Sequence, residues 1–471
     1  MPFAQNPHPE ILKSLADINP LPYWMDDKNR PKPTSSLTNS TVADLCVIGA
    51  GFTGLWSALL AKESDPSLDV VLLEAAETGS GASGRNGGFM DHCLTHTFEN
   101  GLERWPDELS TLVQMGYNNL RAIEEAVERY KIECDFQRTG EMVVATEPYQ
   151  VCELKNAPEE AASYGYELEY LETHQTRALV NSPTYLGGLY DSNVVMLNPA
   201  QLSWGLRRAC LENGVRLYER TQATGLDDDA GKVVVRTQYG QVRAEKVALA
   251  TNAFPPLLKR LSYYVVPVYD YALMTEPLTK SQRESVGWVR RMGIGDAGNQ
   301  FHYYRTSADG RILFGGYDAV YHWNNGFGPH LETDYEAFGR LADHFFQTFP
   351  QLEGLRFTHA WGGAIDTCSR FSAFWGQAFD GKLAYAMGYT GLGVGASRFG
   401  AQVMLDLLNG EDNERTRLRM VREIPIPFPP EPVRSAVVNL TRWSMNQADR
   451  NNGKRNLWLK ILDAAGLGFD S

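Results

Sequence analysis

The chain has 471 residues, enough for about two to three domains, and 43% of them are hydrophobic, so it can fill proper cores unaided. A formal net charge of −13 leaves no basic surface able to drive binding to phosphate backbones, so nucleic acid is not an expected partner. The opening MPFAQNPHPEILK lacks a basic start followed by an apolar core, and no run of about 18 apolar residues occurs; the expectation is a cytoplasmic chain with no membrane span.

Residues 1–42 are rich in Pro, Asn and Ser, carry Tyr23 and Trp24, and read as an irregular arm across the body. From Ala43 the text DLCVIGAGFTGLWSALLAKE is a short apolar strand, a glycine turn and an apolar-periodic helix, with DVVLLEA as the next strand, which is a βαβ unit. Helical periodicity covers 102–131 and 153–165, while 140–146 and 187–197 read as strands. The helix PAQLSWGLRRACLENG from Pro199 leads to the strands VRLYE, KVVVRTQ and KVALAT. Residues 261–350 mix aromatic-rich strands (YYVVPVYDYALMT, FHYYRTS, RILFGG) with a helix near 332–348, the pattern of an antiparallel sheet with side helices. Strand, glycine-rich turn and helix return at 383–409, and beyond Gly410 come a proline-rich linker and a polar terminal helix near 455–464. The six cysteines, Cys46, Cys93, Cys134, Cys152, Cys210 and Cys368, are scattered without a CxxC pair or ligand-like cluster, so neither disulfides nor a metal site are expected.

Gly49, Gly51 and Gly54 form GAGFTG between strand and helix, giving the tight turn, close backbone approach and helix packing that a pyrophosphate needs. Glu74 ends the following strand 20 residues after Gly54, and its carboxylate suits the hydroxyls of an adenosine ribose. An NAD-linked dehydrogenase would need only this motif. The longer FAD needs further segments, and the chain offers three: GSGASGRNGGF at 79–89, KVALATNAF at 246–254 and GYTGLGVGAS at 388–397, whose helix would aim its positive end at a reduced flavin.

With these motifs the chain resembles the D-amino-acid-oxidase-like superfamily from about Ala43 to Asn409, and is most similar to the branch of gamma-glutamylputrescine oxidases. That branch shares the N-terminal arm, GASGRNGG, a YYR with DGR and LFGG, and the closing GYTGLGV. The resemblance implies an FAD-binding Rossmann-like domain with a parallel sheet, discontinuous in sequence (43–100, 187–260 and 355–410), beside an antiparallel-sheet substrate domain (101–186 and 261–354), with an arm (1–42) and a C-terminal tail (411–471). The overall class is α/β plus α+β.

The resemblance carries the cofactor contacts onto Gly49, Gly51, Phe52, Thr53 and Gly54 for the pyrophosphate, and onto Glu74 and Ala75 for the adenosine. It also carries Gly81, Ala82, Ser83, Arg85, Asn86, Gly87, Gly88 and Phe89 onto the middle of the cofactor, with Ala223 at the adenine, Thr251 and Asn252 at a strand end, and Gly391, Leu392, Gly393 and Val394 at the pyrimidine side. Some relatives attach FAD through a cysteine in the segment equivalent to WGGAIDTCSRF, but Cys368 lies several residues beyond that place, so FAD is expected to be noncovalent.

For the substrate, Tyr269, Tyr271, Tyr303, Tyr304 and Arg305 would cover the flavin's open face, with His359 and Trp361 beside them. Arg305 would clamp an anionic group; a structural ion pair is the competing assignment. The implied activity is oxidation of a primary amine, such as a polyamine conjugate, an amino acid or an aminophosphonate, by hydride transfer from the carbon next to nitrogen, with O2 or another acceptor taking the electrons. No acid or base side chain is obligatory in that chemistry, so no catalytic residue is named. The rival outside enzymology is a noncatalytic flavoprotein serving in assembly. Oligomeric state is not readable.

Overall fold

The computed structural model describes residues 9–467, so residues 1–8 of the expected arm and 468–471 of the tail lie outside the described residues. The strand Thr41–Ile48 is buried from Leu45 onward on both faces, which is why its apolar run is continuous rather than alternating. It lies parallel to Val70–Leu73 on one side and to Gln241–Leu249 on the other. Arg216–Tyr218 extends the sheet beyond the first neighbour, and Leu383–Met387 and the antiparallel Phe374–Ala378 extend it beyond the second. The hairpin Ala223–Asp229 with Lys232–Thr237 folds onto Gln241–Leu249 and completes eight strands. Against this sheet the helix Phe52–Ser64 buries Leu55, Trp56 and Leu59 almost completely, between helices Pro199–Glu212 and Gly393–Asn409. Each such side chain contributes roughly 1.5–3 kcal/mol.

The second sheet has nine strands in the order Val320–Tyr321, Val266–Thr275, Ile312–Gly316, His302–Thr306, Gly293–Asp296, Glu141–Ala145, Gly187–Asp191, Glu169–Glu172, with Phe357–Thr367 also paired to Val266–Thr275. Helix Tyr335–Thr348 covers its outer face with Phe338, Leu341 and Phe345. The α/β plus α+β class read from the sequence is the one the chain adopts.

Two expected boundaries move. Residues 187–191 were assigned to the parallel-sheet domain, yet they pair antiparallel with Glu141–Ala145 and Glu169–Glu172. Residues 357–367 were also assigned there, yet they form an 11-residue strand along Val266–Thr275. Its glycines hide it from strand propensity and are needed by the packing: a Cβ on Gly362 would lie 2.7 Å from the Tyr271 ring. The tail holds more helix than expected, because Val433–Arg450 precedes Leu457–Ala464. Asp449 ties it to the body by accepting from the Asn299 and Gln300 amides at 3.1 and 3.0 Å.

Candidate active site

The first strand and Gln241–Leu249 end side by side, and their turns meet. Gly49 has φ 102° and so close an approach to the second turn that a Cβ would sit 2.4 Å from the Ala250 carbonyl oxygen. Gly51, the N-cap of Phe52–Ser64, faces only the Ser83 hydroxyl at 3.0 Å, whereas a Cβ on Gly54 would fall 1.8 Å from the Gly49 carbonyl oxygen. The three glycines thus divide the work as the motif requires: turn, open approach, helix packing. Ser83 accepts the Phe52 amide at 2.9 Å, which docks the 79–89 loop on the helix start. Glu74 accepts from the Ala50 amide at 2.8 Å and the Ala76 amide at 2.9 Å, so its carboxylate is fixed at the strand end; burial pushes its pKa up.

A cavity of about 680 Å³ runs from this cradle to the nine-stranded sheet. Of the expected cofactor residues, all line it except Gly54 and Gly88, which pack behind it. Thr251 lines it with a buried hydroxyl that has no hydrogen-bond partner among the described residues, and Asn252, also in the lining, takes the left-handed region at φ 50°. At Gly391 a Cβ would meet nothing within 4 Å, so the start of helix Gly393–Asn409 opens onto the cavity. An open cradle, an orphaned hydroxyl and two helix starts fit a long dinucleotide.

Across from that helix start, strand register sets a row on one sheet face: Trp361, Ala272, Gly315, Tyr303 and Gly295 are consecutive cross-strand partners. Tyr303 donates to Asp270 Oδ2 at 2.7 Å, and the Trp361 indole donates to the Arg85 carbonyl at 2.8 Å. Burial lifts the Asp270 carboxyl to about 7.

Four of the expected substrate residues do not reach the cavity. Tyr304 points to the opposite face, where its hydroxyl joins Tyr185 and Asp296, because adjacent residues in a strand alternate. Tyr269 is likewise on the far face, with its hydroxyl on the Gly328 backbone. Tyr271 contributes to the wall, but its ring packs on Phe338 and its hydroxyl donates to Leu331 O. His359 binds Asp26 of the arm at 3.1 Å. Arg305, expected as an anion clamp, is completely buried; its Nη1 donates to the carbonyls of Gly88 and Leu197 at 3.0 and 2.7 Å, under the Trp24 ring. It fastens the 79–89 loop instead of greeting a substrate. Trp24 donates to the Asn86 carbonyl at 2.9 Å, so the arm buttresses the same loop.

Residues not singled out in the sequence complete the site. Tyr389 lines the cavity and receives the Thr53 hydroxyl at 3.1 Å, joining the first and last glycine segments. Asp366 holds the last turn by accepting the Gly388 amide at 2.7 Å. The tail supplies an apolar wall from Ile426, Phe428, Val437, Met445 and Leu462. Burial drops His96, also in the lining, to about 4, which keeps it neutral.

A family model, DAO: FAD dependent oxidoreductase, matches residues 44–407. The chain belongs to this family. A gamma-glutamylputrescine oxidoreductase of Escherichia coli is 32% identical over 83% of this chain and 89% of its own length. A probable oxidoreductase of Haemophilus influenzae is 30% identical over 86% of this chain and 91% of its own. Glycine oxidase from Geobacillus kaustophilus, at 19% identity, shares the fold with a TM-score of 0.65 over 81% of this chain and 99% of that one. The FAD-dependent oxidoreductase family membership bears out the superfamily and branch expected from the motifs, makes FAD the cofactor and the protein an enzyme, and overturns the NAD-linked alternative.

Proposed function

We propose that this enzyme oxidises an amine at the carbon bonded to nitrogen, releasing an imine that water hydrolyses to a carbonyl compound. The observation that carries it is the continuity of one cavity from the dinucleotide cradle to the row Trp361, Ala272 and Tyr303. When bound, FAD supplies the hydride acceptor, and the electrons pass on to O2 or another acceptor. Ala272 leaves room for the substrate carbon, Trp361 and Tyr303, whose ring lies over Gly315, bound it, and the apolar tail wall excludes water. Removal from water favours the uncharged amine that the reaction requires. The retention of FAD is noncovalent in this reading: Cys368 is buried, with Sγ bonded to the Ser372 and Gly388 carbonyls at 3.2 and 3.4 Å. A cytoplasmic location suits six free cysteines, and no helix among the described residues is long and apolar enough to cross a membrane. The test is anaerobic mixing of purified holoprotein with primary amines, polyamine conjugates, amino acids and 2-aminoethylphosphonate. Bleaching of the flavin by amines is expected; no bleaching by any of them refutes the reading and favours a noncatalytic flavoprotein.

A further inference from the structure

The charged groups in the cavity are unequally matched. Its lining holds six carboxylates, Glu74, Asp91, Glu141, Asp270, Asp318 and Asp366, against two guanidinium groups. Arg85 pairs with Glu332 at 2.7 Å and donates to Ser80 O and Gly362 O, and Arg442, on the tail helix, donates to Ala319 O at 3.3 Å. Four of the acids are equally occupied, Glu74 by two backbone amides, Asp270 by Tyr303, Asp318 by Arg340 at 2.8 Å, and Asp366 by the Gly388 amide. Two remain.

Glu141 stands on Glu141–Ala145, next to Gly293–Asp296, and its Oε1 lies 3.4 Å from where a Gly295 Cβ would be, so the carboxylate rests on the sheet face that carries Tyr303. It is shielded from bulk water, lines the cavity and has no hydrogen-bond or ion-pair partner among the described residues. Asp91 lines the same cavity just beyond the 79–89 loop, its Oδ1 anchored by the Cys93 amide at 2.8 Å, with the His92 ring at 3.9 Å. His92 itself is held away by Asp191 at 2.9 Å and stacks on Tyr117. Burial and the neighbouring Asp91 and Asp191 charges push Glu141 up to about 8. A desolvated acid with no partner is unfavourable until a cation arrives, which is the signature of a ligand subsite rather than of a packed core.

We infer that Glu141 and Asp91 form a subsite for a second positive charge on the substrate, so that the enzyme takes an amine bearing a remote ammonium, of the linear diamine or polyamine class, in preference to amino acids and aminophosphonates. This rests on the amine-oxidation reading above. An anionic substrate would meet these two acids, with the Arg85 guanidinium already paired to Glu332 and Arg442 set apart on the tail helix.

The test compares 1,4-diaminobutane with n-butylamine, which differ only in the second ammonium, by anaerobic flavin bleaching and by the perturbation of the flavin spectrum on binding at pH 8.5. Wild type is expected to favour the diamine in kcat/KM about ten- to a hundred-fold. Glu141→Gln and Asp91→Asn should move that ratio toward one, most of the change lying in KM, while Glu141→Asp, which keeps the charge, should retain part of the preference. The wild-type ratio and its salt sensitivity need no variant to fold. Bleaching by both amines with a wild-type ratio near one, or a ratio unmoved by Glu141→Gln, overturns the inference alone. Bleaching by neither overturns the amine reading and this subsite with it.

Discussion

Gly51 and Gly54 sit three residues apart in one motif, yet the space around them predicts opposite failures. A side chain at Gly51 meets only the Ser83 hydroxyl at 3.0 Å, and that hydroxyl can rotate. Gly51→Val should therefore leave the fold nearly as stable as wild type, while its methyls occupy the approach to the helix start. Losing two amide contacts to the pyrophosphate, at roughly 1.5–3 kcal/mol each, weakens FAD by about 10²- to 10⁴-fold. At Gly54 a single methyl would lie 1.8 Å from the Gly49 carbonyl oxygen and 3.3 Å from Val47 Cγ1, both fixed by the sheet. Gly54→Ala should destabilise the apoprotein by about 3 kcal/mol or more, since neither neighbour can yield. The assay is thermal or urea unfolding of each apoprotein together with FAD titration by fluorescence quenching. Wild-type FAD affinity in Gly51→Val, or wild-type stability in Gly54→Ala, would refute this placement of the pyrophosphate turn.

Three further predictions follow from particular contacts. Arg305→Ala leaves the Gly88 and Leu197 carbonyls without their buried donor and should lower FAD retention and thermal stability, with equal effects on acidic and neutral substrates in KM; a selective rise for acidic substrates would restore the clamp. The raised Glu141 carboxyl means the folded protein holds that proton more tightly than the unfolded chain does, so its contribution to stability is lost as pH rises from about 4.5 through about 8. Glu141→Gln should thus match wild type at pH 5 and exceed it at pH 8.5, by an amount on the order of a few kcal/mol in the apoprotein; parallel stability curves would contradict the burial argument. Asp449→Ala frees helix Val433–Arg450 from the Asn299 and Gln300 amides, and hydrogen exchange across 433–450 should rise while the sheets stay protected.

What could be read from the sequence was local. A strand, a glycine turn and a helix start are written in consecutive residues, so the pyrophosphate turn, the 79–89 loop and the 388–397 turn were legible, and all but Gly54 and Gly88 of the residues carried over line the cavity. Which face a strand residue occupies depends on register with partners far along the chain. Tyr303 and Tyr304 are adjacent and chemically alike, yet only pairing with Gly295 and Gly315 turns the first toward the cavity. Arg305 shares that face, but two carbonyls from distant loops capture it. Glu141 gave no signal because its setting arises from a parallel pairing with Gly293, some 150 residues away. The Val433–Arg450 helix was hidden for another reason: its narrow apolar stripe is dispersed in polar text and becomes meaningful only against the cavity it closes.

One long nucleotide threads the glycine segments brought together at the ends of the parallel strands. The most direct measurement is the absorption spectrum of the purified protein, followed by acid denaturation and mass analysis of what is released. A yellow protein with bands near ~450 nm that gives up about one intact FAD per chain to the supernatant is the predicted result. A colourless protein that added FAD fails to colour, or a flavin that stays with the denatured polypeptide, would contradict it.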